Sequence, residues 1–155
     1  MTMRMSQVIV AKAFTVLPAE ADKRQVIATL VQSLATTKKF PADKLNEIVE
    51  GAMAREAIGS TGIGHGIAIP HGRIKGLKET ACAFVRMKVP IDFDAPDSLP
   101  VDLLFILLAP AAASDLHLQI LAELAQMFSD KAMRDKLRAA PDAASLHDLI
   151  REWTP

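Results

Sequence analysis

Cysteine is nearly absent from this sequence of 155 residues: Cys82 is the only one, and it lies inside an apolar segment. A lone cysteine forms no internal disulfide, which fits a reducing compartment. Nothing beside Cys82 in sequence is arranged to lower its pKa as a reactive thiol requires. Net charge is lacking as well. Lys+Arg and Asp+Glu both number 18, so bulk electrostatics give no reason to expect nucleic acid or a membrane surface as a partner. No apolar run is long enough to span a bilayer, and the most apolar one, residues 103–113, is broken by Pro110. No signal peptide is read: residues 6–11 are too short for an apolar core and include Gln7. Internal repeats, low-complexity tracts and linkers are missing too. These exclusions leave the expectation of a soluble cytoplasmic chain forming one domain over residues 1–155. Half of its residues are hydrophobic, enough to bury a core.

Glycine is scarce and unevenly spent. Five of the seven glycines fall in the fourteen residues GSTGIGHGIAIPHG, numbers 59–72. Such backbone takes positive φ or admits close approach of another group. Within it, Ile67-Ala68-Ile69 reads as a short buried strand that stops at Pro70, which fixes φ and has no N–H to donate. His71 follows at once, so a pliable loop and a strand end would together hold one imidazole in a fixed pose.

The flanking sequence supplies the scaffold. Residues 5–11 read as a short helix or turn, and residues 13–17 as an extended piece. A helix is expected to begin around Pro18, Glu20 and Asp22 and to run to Leu34, with Val26, Ile27, Leu30, Val31 and Leu34 on one face. Residues 36–40 read as a polar connection. A second helix starts at Pro41, buries Leu45, Ile48, Val49 and Met53, and carries Arg55 and Glu56 near its end. Residues 80–89 read as a strand with at least one wetter side, residues 90–100 as a loop, and residues 101–108 as a central strand buried on both faces. After a break at residues 110–114, a helix capped by Ser114 carries Leu116, Ile120, Leu121, Leu124 and Phe128 inward. Two helices, about residues 130–138 and 143–153, close the chain. The implied fold class is an α/β sandwich with a mixed sheet covered by helices on both faces.

The glycine loop fails the specific phosphate-binding patterns. A P-loop needs Lys-Ser/Thr after Gly64, where the chain has His65-Gly66. A dinucleotide fingerprint opens a helix, whereas here a strand and Pro70 follow. A nucleophile elbow needs Gly-x-Ser-x-Gly, and Ser60 sits in Gly-Ser-Thr-Gly. The chemistry then rests on four histidines: His65, His71, His117 and His147. His147, in a polar terminal helix, reads as structural. His117 falls in the first turn of its helix, where backbone N–H groups favour an anion. His71 has the strongest local case, because neutral imidazole is a nucleophile and is well populated near neutral pH. No pair has the spacing of a helical zinc site, so neither a metal nor a cofactor is expected.

Three stretches, Ala54-Arg55-Glu56, Ser60-Thr61-Gly62-Ile63-Gly64 and Gly66-Ile67-Ala68-Ile69-Pro70-His71-Gly72, resemble the signature of the fructose/mannitol-type IIA domains of the bacterial phosphoenolpyruvate phosphotransferase system. The resemblance continues through Pro90-Ile91, Phe93-Asp94-Ala95, Pro100-Val101-Asp102-Leu103-Leu104-Phe105 and His117-Leu118 to Leu137-Arg138-Ala139-Ala140. It covers the chain from about Asp22 to near its end, is greatest to the nitrogen-regulatory branch, and is poor over residues 1–20. It implies the type 2 IIA fold and a role for named residues. His71 corresponds to the family's phosphorylated histidine (phosphorylated on Nε2), Arg55 to the arginine beside it, and His117 to the second active-site histidine. Ser60, Thr61, Gly62, His65 and Pro70 would support the loop. Position 65 is a departure, since histidine stands where the nitrogen branch often has asparagine. An imidazole six residues before His71 is expected to make phosphorylation more dependent on pH.

The resemblance further implies a phosphocarrier supplied by phosphoenolpyruvate through enzyme I and a nitrogen-type HPr, with regulatory target proteins as partners. The docking surface would lie around His71, near Ile63, Ile67 and Ile69. A sugar-specific IIA component passing phosphate to a IIB cysteine on another polypeptide is one rival reading. A phosphorylation-independent binding module is another, against which the joint presence of Arg55, His71 and His117 argues.

Overall fold

A computed structural model describes residues 9–17, 22–38, 44–75, 80–111 and 116–153. The elements are β1 (Ile9–Leu17), α1 (Lys23–Lys38), α2 (Leu45–Ile58), β2 (Gly62–Gly64), β3 (Ile67–Ala68), β4 (His71–Ile74), β5 (Ala81–Ile91), β6 (Val101–Pro110), α3 (Leu116–Ser129), α4 (Lys131–Ala139) and α5 (Ala143–Glu152). The six-stranded sheet runs in the order β1-β5-β6-β3-β2, and β4 also pairs with β6. β5 and β6 are antiparallel, while β1–β5, β3–β6 and β4–β6 are parallel. The fold is a mixed α/β single domain, as the sequence implies.

β6 organises this fold because side chains on a strand alternate between its faces. Leu104, Ile106 and Leu108 point into a core with Val26, Ile27 and Leu30 of α1 and Ile48 and Ala52 of α2. Leu103, Phe105 and Leu107 point the other way, among Ile120, Leu124 and Phe128 of α3, Leu137 of α4 and Ile150 of α5. A strand buried on both faces reads as a nearly unbroken apolar run, and each face is closed by its own helices.

Capping chemistry sets several helix ends. Asp22 Oδ1 accepts from the Gln25 N–H at 2.8 Å, and the Asp22 N–H donates back to Gln25 Oε1 at 3.2 Å, a reciprocal box at the start of α1. Asp130 accepts from the Ala132 N–H and Asp142 from the Ser145 N–H, opening α4 and α5.

The structure corrects four readings. The N-terminal segment is a strand from Ile9 rather than a helix or turn to residue 11, because β5 offers it a free parallel edge. Residues 36–38 belong to α1 rather than to a connection. His71 does not follow a strand end but opens β4. β3 and β4 pair with β6 in one continuing register, Ile67 opposite Leu103 and His71 opposite Leu107, and only Ile69 and Pro70 interrupt it. Pro70 has no N–H for the ladder, yet its carbonyl still accepts from the Leu107 N–H at 2.9 Å. The glycine stretch is not a loose loop either, since β2 and β3 form a hairpin turned at His65 and Gly66. β5 is wetter only toward its end, as the sequence suggests: residues 81–85 and Met87 are buried, Arg86 is partly exposed and Val89 is exposed. Its charged Arg86 is tolerated there because the guanidinium donates to the Leu137 carbonyl at 3.0 Å and to that of Ala140, satisfying acceptors at the end of α4. The expected starts at Pro18, Pro41 and Ser114 lie outside the described residues.

Candidate functional site

The second half of α2, the start of β4 and the C-terminal part of β6 border a cleft of about 440 Å3, lined by Gly51, Ala54, Arg55, Ile58, His71, Gly72, Arg73, Leu107 and Ala109. His71 reaches it half-buried, with Nδ1 2.8 Å from the Ile69 carbonyl oxygen. A carbonyl can only accept, so Nδ1 donates, and the neutral ring keeps its lone pair on Nε2. The Ile69 N–H in turn donates to the Thr61 carbonyl at 3.1 Å. Both backbone groups of Ile69 are thereby used, one to anchor it to the hairpin and one to hold the ring.

Arg55 sits in the last turn of α2, where its Nη1 donates to the Gly59 carbonyl at 2.7 Å. That bond satisfies a carbonyl just past the helix end and leaves most of the guanidinium donors for other acceptors. Arg73 is a second arginine at the cleft that the sequence reading did not single out. It is exposed and lies two residues beyond His71 on the same strand, so the two share a face. That period-two signal was available only once residues 71–74 were known to be a strand.

The loop-support residues divide into two groups. Ser60 Oγ donates to the Phe93 carbonyl at 2.7 Å and accepts from the Gly62 N–H at 3.0 Å. Gly62 packs so closely on the loop after β5 that a Cβ would lie 2.8 Å from that of Ala95. Thr61 turns inward to Glu56, which is buried and was read from sequence only as a helix-end residue. Pro70 is buried between β3 and β4. His65 stands apart at the hairpin tip, exposed and at φ 59°. Its N–H donates to Asp97 Oδ2 at 2.9 Å. It borders a different hollow, with Leu99, Asp102, Lys131 and Arg138. Hydrogen bonds from the His65 and Leu99 backbone N–H groups hold the Asp97 carboxyl below its usual range. A Cβ on Gly66 would meet Arg138 and Asp102 side-chain atoms at 2.6 and 2.8 Å, so this turn admits only glycine.

The structure therefore brings Arg55 and His71 together and places His65 elsewhere. His117 is in the first turn of α3, and its side chain lies outside the described residues. His147 is half-buried beside Asp148. Of the isoleucines near His71, Ile67 and Ile69 are buried and Ile63 is 44% exposed, while Ile58 on the cleft rim is 85% exposed. Among the described residues, no group of three or more His, Cys, Asp or Glu side chains could hold a metal, and no helix is long and apolar enough to cross a membrane.

A mixed sheet between two helical layers has known counterparts. The crystal structure of nitrogen regulatory protein IIA-Ntr from Neisseria meningitidis superposes with a TM-score of 0.84 at 35% identity, covering 94% of this chain and 98% of that one. The nitrogen regulatory protein of Pseudomonas aeruginosa is 38% identical over 147 residues, 95% of this chain and 94% of its own length. That of Escherichia coli K12 is 45% identical over 113 residues, 70% of this chain and 68% of its own length. The sequence model of the phosphoenolpyruvate-dependent sugar phosphotransferase system EIIA 2 family matches residues 8–153. These likenesses define a IIA-type component of a phosphotransferase system. The chain belongs to the EIIA type 2 family. The match from residue 8 takes in β1, which the sequence resemblance had left out.

Proposed function

We propose that this chain is a cytoplasmic phosphocarrier of the nitrogen type, in which His71 accepts a phosphoryl group from a nitrogen-type HPr. The observation that carries this reading is the 2.8 Å contact between His71 Nδ1 and the Ile69 carbonyl, which leaves Nε2 as the nucleophile. The Nε2 lone pair attacks phosphorus, the phosphorus–nitrogen bond of the donor breaks, and its electron pair returns to the donor ring. Nδ1 keeps its proton throughout. The phosphorylated ring is then cationic, and its bond to the Ile69 carbonyl becomes charge-assisted and stronger. Phosphoryl transfer depends on positioning and charge stabilisation more than on further covalent chemistry. Arg55 supplies a permanently charged planar fork for the phosphoryl oxygens. His117 donates to the same oxygens, aided by the positive end of the α3 dipole.

The supply runs from phosphoenolpyruvate through enzyme I to HPr. The nitrogen regulatory proteins among the relatives favour a regulatory output. A doubly charged group beside the exposed Ile58 changes both the shape and the potential of that surface, so the state of His71 selects which target protein binds. Intact-mass measurement with phosphoenolpyruvate, enzyme I and a nitrogen-type HPr tests the reading. One acid-labile phosphate on the wild type and none on His71→Ala is expected. No phosphate on the wild type, with an HPr competent toward a known acceptor, would overturn it.

A further inference from the structure

Glu56 is 6% exposed, an unusual position for a carboxylate, since taking a charge out of water is costly unless its lone pairs are met. Here they are met. The Thr61 N–H lies 3.3 Å from each carboxylate oxygen, and Thr61 Oγ1 donates to Oε1. Lys23 of α1 closes the other side at 3.4 Å, with its ammonium 4.5 Å from the centre of the Phe93 ring. Lys23 also reaches Asp94 at 3.6 Å. The network therefore ties α1, the end of α2 and the loop after β5 to one residue, Thr61, at the entry to the β2–β3 hairpin.

Thr61 is in turn the residue on which the His71 ring depends. Its carbonyl accepts the Ile69 N–H at 3.1 Å, and the Ile69 carbonyl accepts His71 Nδ1–H at 2.8 Å. No element of regular structure holds Ile69, which lies in the break between β3 and β4. Its side chain packs in the core with Leu103 and Leu107, while its backbone is oriented by the Thr61 carbonyl on one side and by Pro70 on the other. A shift of Thr61 passes directly to the carbonyl that fixes the tautomer. A free histidine side chain favours the proton on Nε2, so the opposite tautomer, the one competent for attack, has to be held.

We propose that Glu56 is a positioning residue for His71, acting through Thr61 and Ile69 to keep Nδ1 protonated and Nε2 bare. The inference rests on the phosphocarrier reading for its catalytic consequence, whereas its effect on the tautomer does not depend on that reading. Burial of a carboxylate with Lys23 is then retained for the geometry of the ring rather than for stability, which a buried ion pair supplies poorly.

Nitrogen-15 NMR of the His71 imidazole, with phosphorylation kinetics, tests this in Thr61→Val, Thr61→Ser and Glu56→Gln. The wild type is expected to show the Nδ1–H tautomer. Thr61→Val and Glu56→Gln should raise the Nε2–H form and lower the maximal phosphorylation rate roughly tenfold or more, as small misplacements of a reacting group do, with KM for the donor unchanged. Thr61→Ser, which keeps the hydroxyl, should restore both readouts. Wild-type tautomer and rate in a folded Thr61→Val and a folded Glu56→Gln would overturn the proposal, as would an Nε2–H tautomer in the wild type. Should Glu56→Gln fail to fold, Thr61→Val decides alone. A tautomer shift in the variants of a chain that never takes phosphate would sink the phosphocarrier reading and leave the positioning role standing.

Discussion

Arg55 is where charge and shape separate. Its Nη1 bond to Gly59 fixes the fork, and a lysine would keep the charge while losing the planar donor pair that suits phosphoryl oxygens. Arg55→Lys is therefore expected to slow phosphorylation by roughly tenfold, a loss of about 1.4 kcal/mol of transition-state stabilisation, measured as the single-turnover rate from a phosphorylated donor. An unchanged rate would remove Arg55 from the site. His65 gives the opposite expectation. It holds the left-handed conformation at the hairpin tip and faces a separate hollow. Asparagine adopts that conformation as readily, so His65→Asn should change stability by less than about 0.5 kcal/mol and leave the pH profile of phosphorylation unmoved. A displaced profile would restore the coupling between His65 and His71 that the sequence led us to expect. His71 itself was legible because proline and glycine bracket it. Arg73 and Glu56 were not, since one needed the strand assignment of β4 and the other a partner five residues away across a turn.

At the scale of elements, the β2–β3 hairpin shows what glycine content alone conceals. Five clustered glycines read as a loop, yet Gly62 and Gly66 are required by close packing on Ala95 and on Arg138 with Asp102. The hairpin is pinned to the loop after β5 through Asp97, whose carboxylate accepts from His65 at 2.9 Å and Leu99 at 3.1 Å. Its folded pKa lies below the ordinary value of 3.8, so the stabilisation is complete above that value and drains away as pH falls through the lowered one. Urea midpoints followed downward from pH 5 should fall more steeply for the wild type than for Asp97→Asn. Parallel profiles would show that the lock does not contribute. Long helices and the central strand β6 were readable from periodicity. The wetter second half of β5 was readable too, but not that Arg86 there donates to the carbonyls closing α4, a contact spanning more than fifty residues.

For the whole molecule, the alternation along β6 divides the interior into two cores, one under α1 and α2 and one under α3, α4 and α5. The cleft lies where α2 meets the β4–β6 pair, so the first core sets the position of Arg55 and the sheet sets that of His71. The fold class was legible in the apolar pattern and the order of elements. Of β1 only residues 13–17 were, as an extended piece; its start at Ile9 was not, since parallel pairing with β5 is a long-range choice that local composition does not announce. Both scales meet at His71, whose Nε2 we propose the scaffold presents to a phosphoryl donor. Phosphorus–nitrogen correlation NMR on the phosphorylated chain, with nitrogen-15 in its histidines, tests it most directly. Coupling of a single phosphorus to Nε2 of His71, with Nδ1 still protonated, is the predicted result. Coupling to Nδ1, or to His65, His117 or His147, would contradict the account.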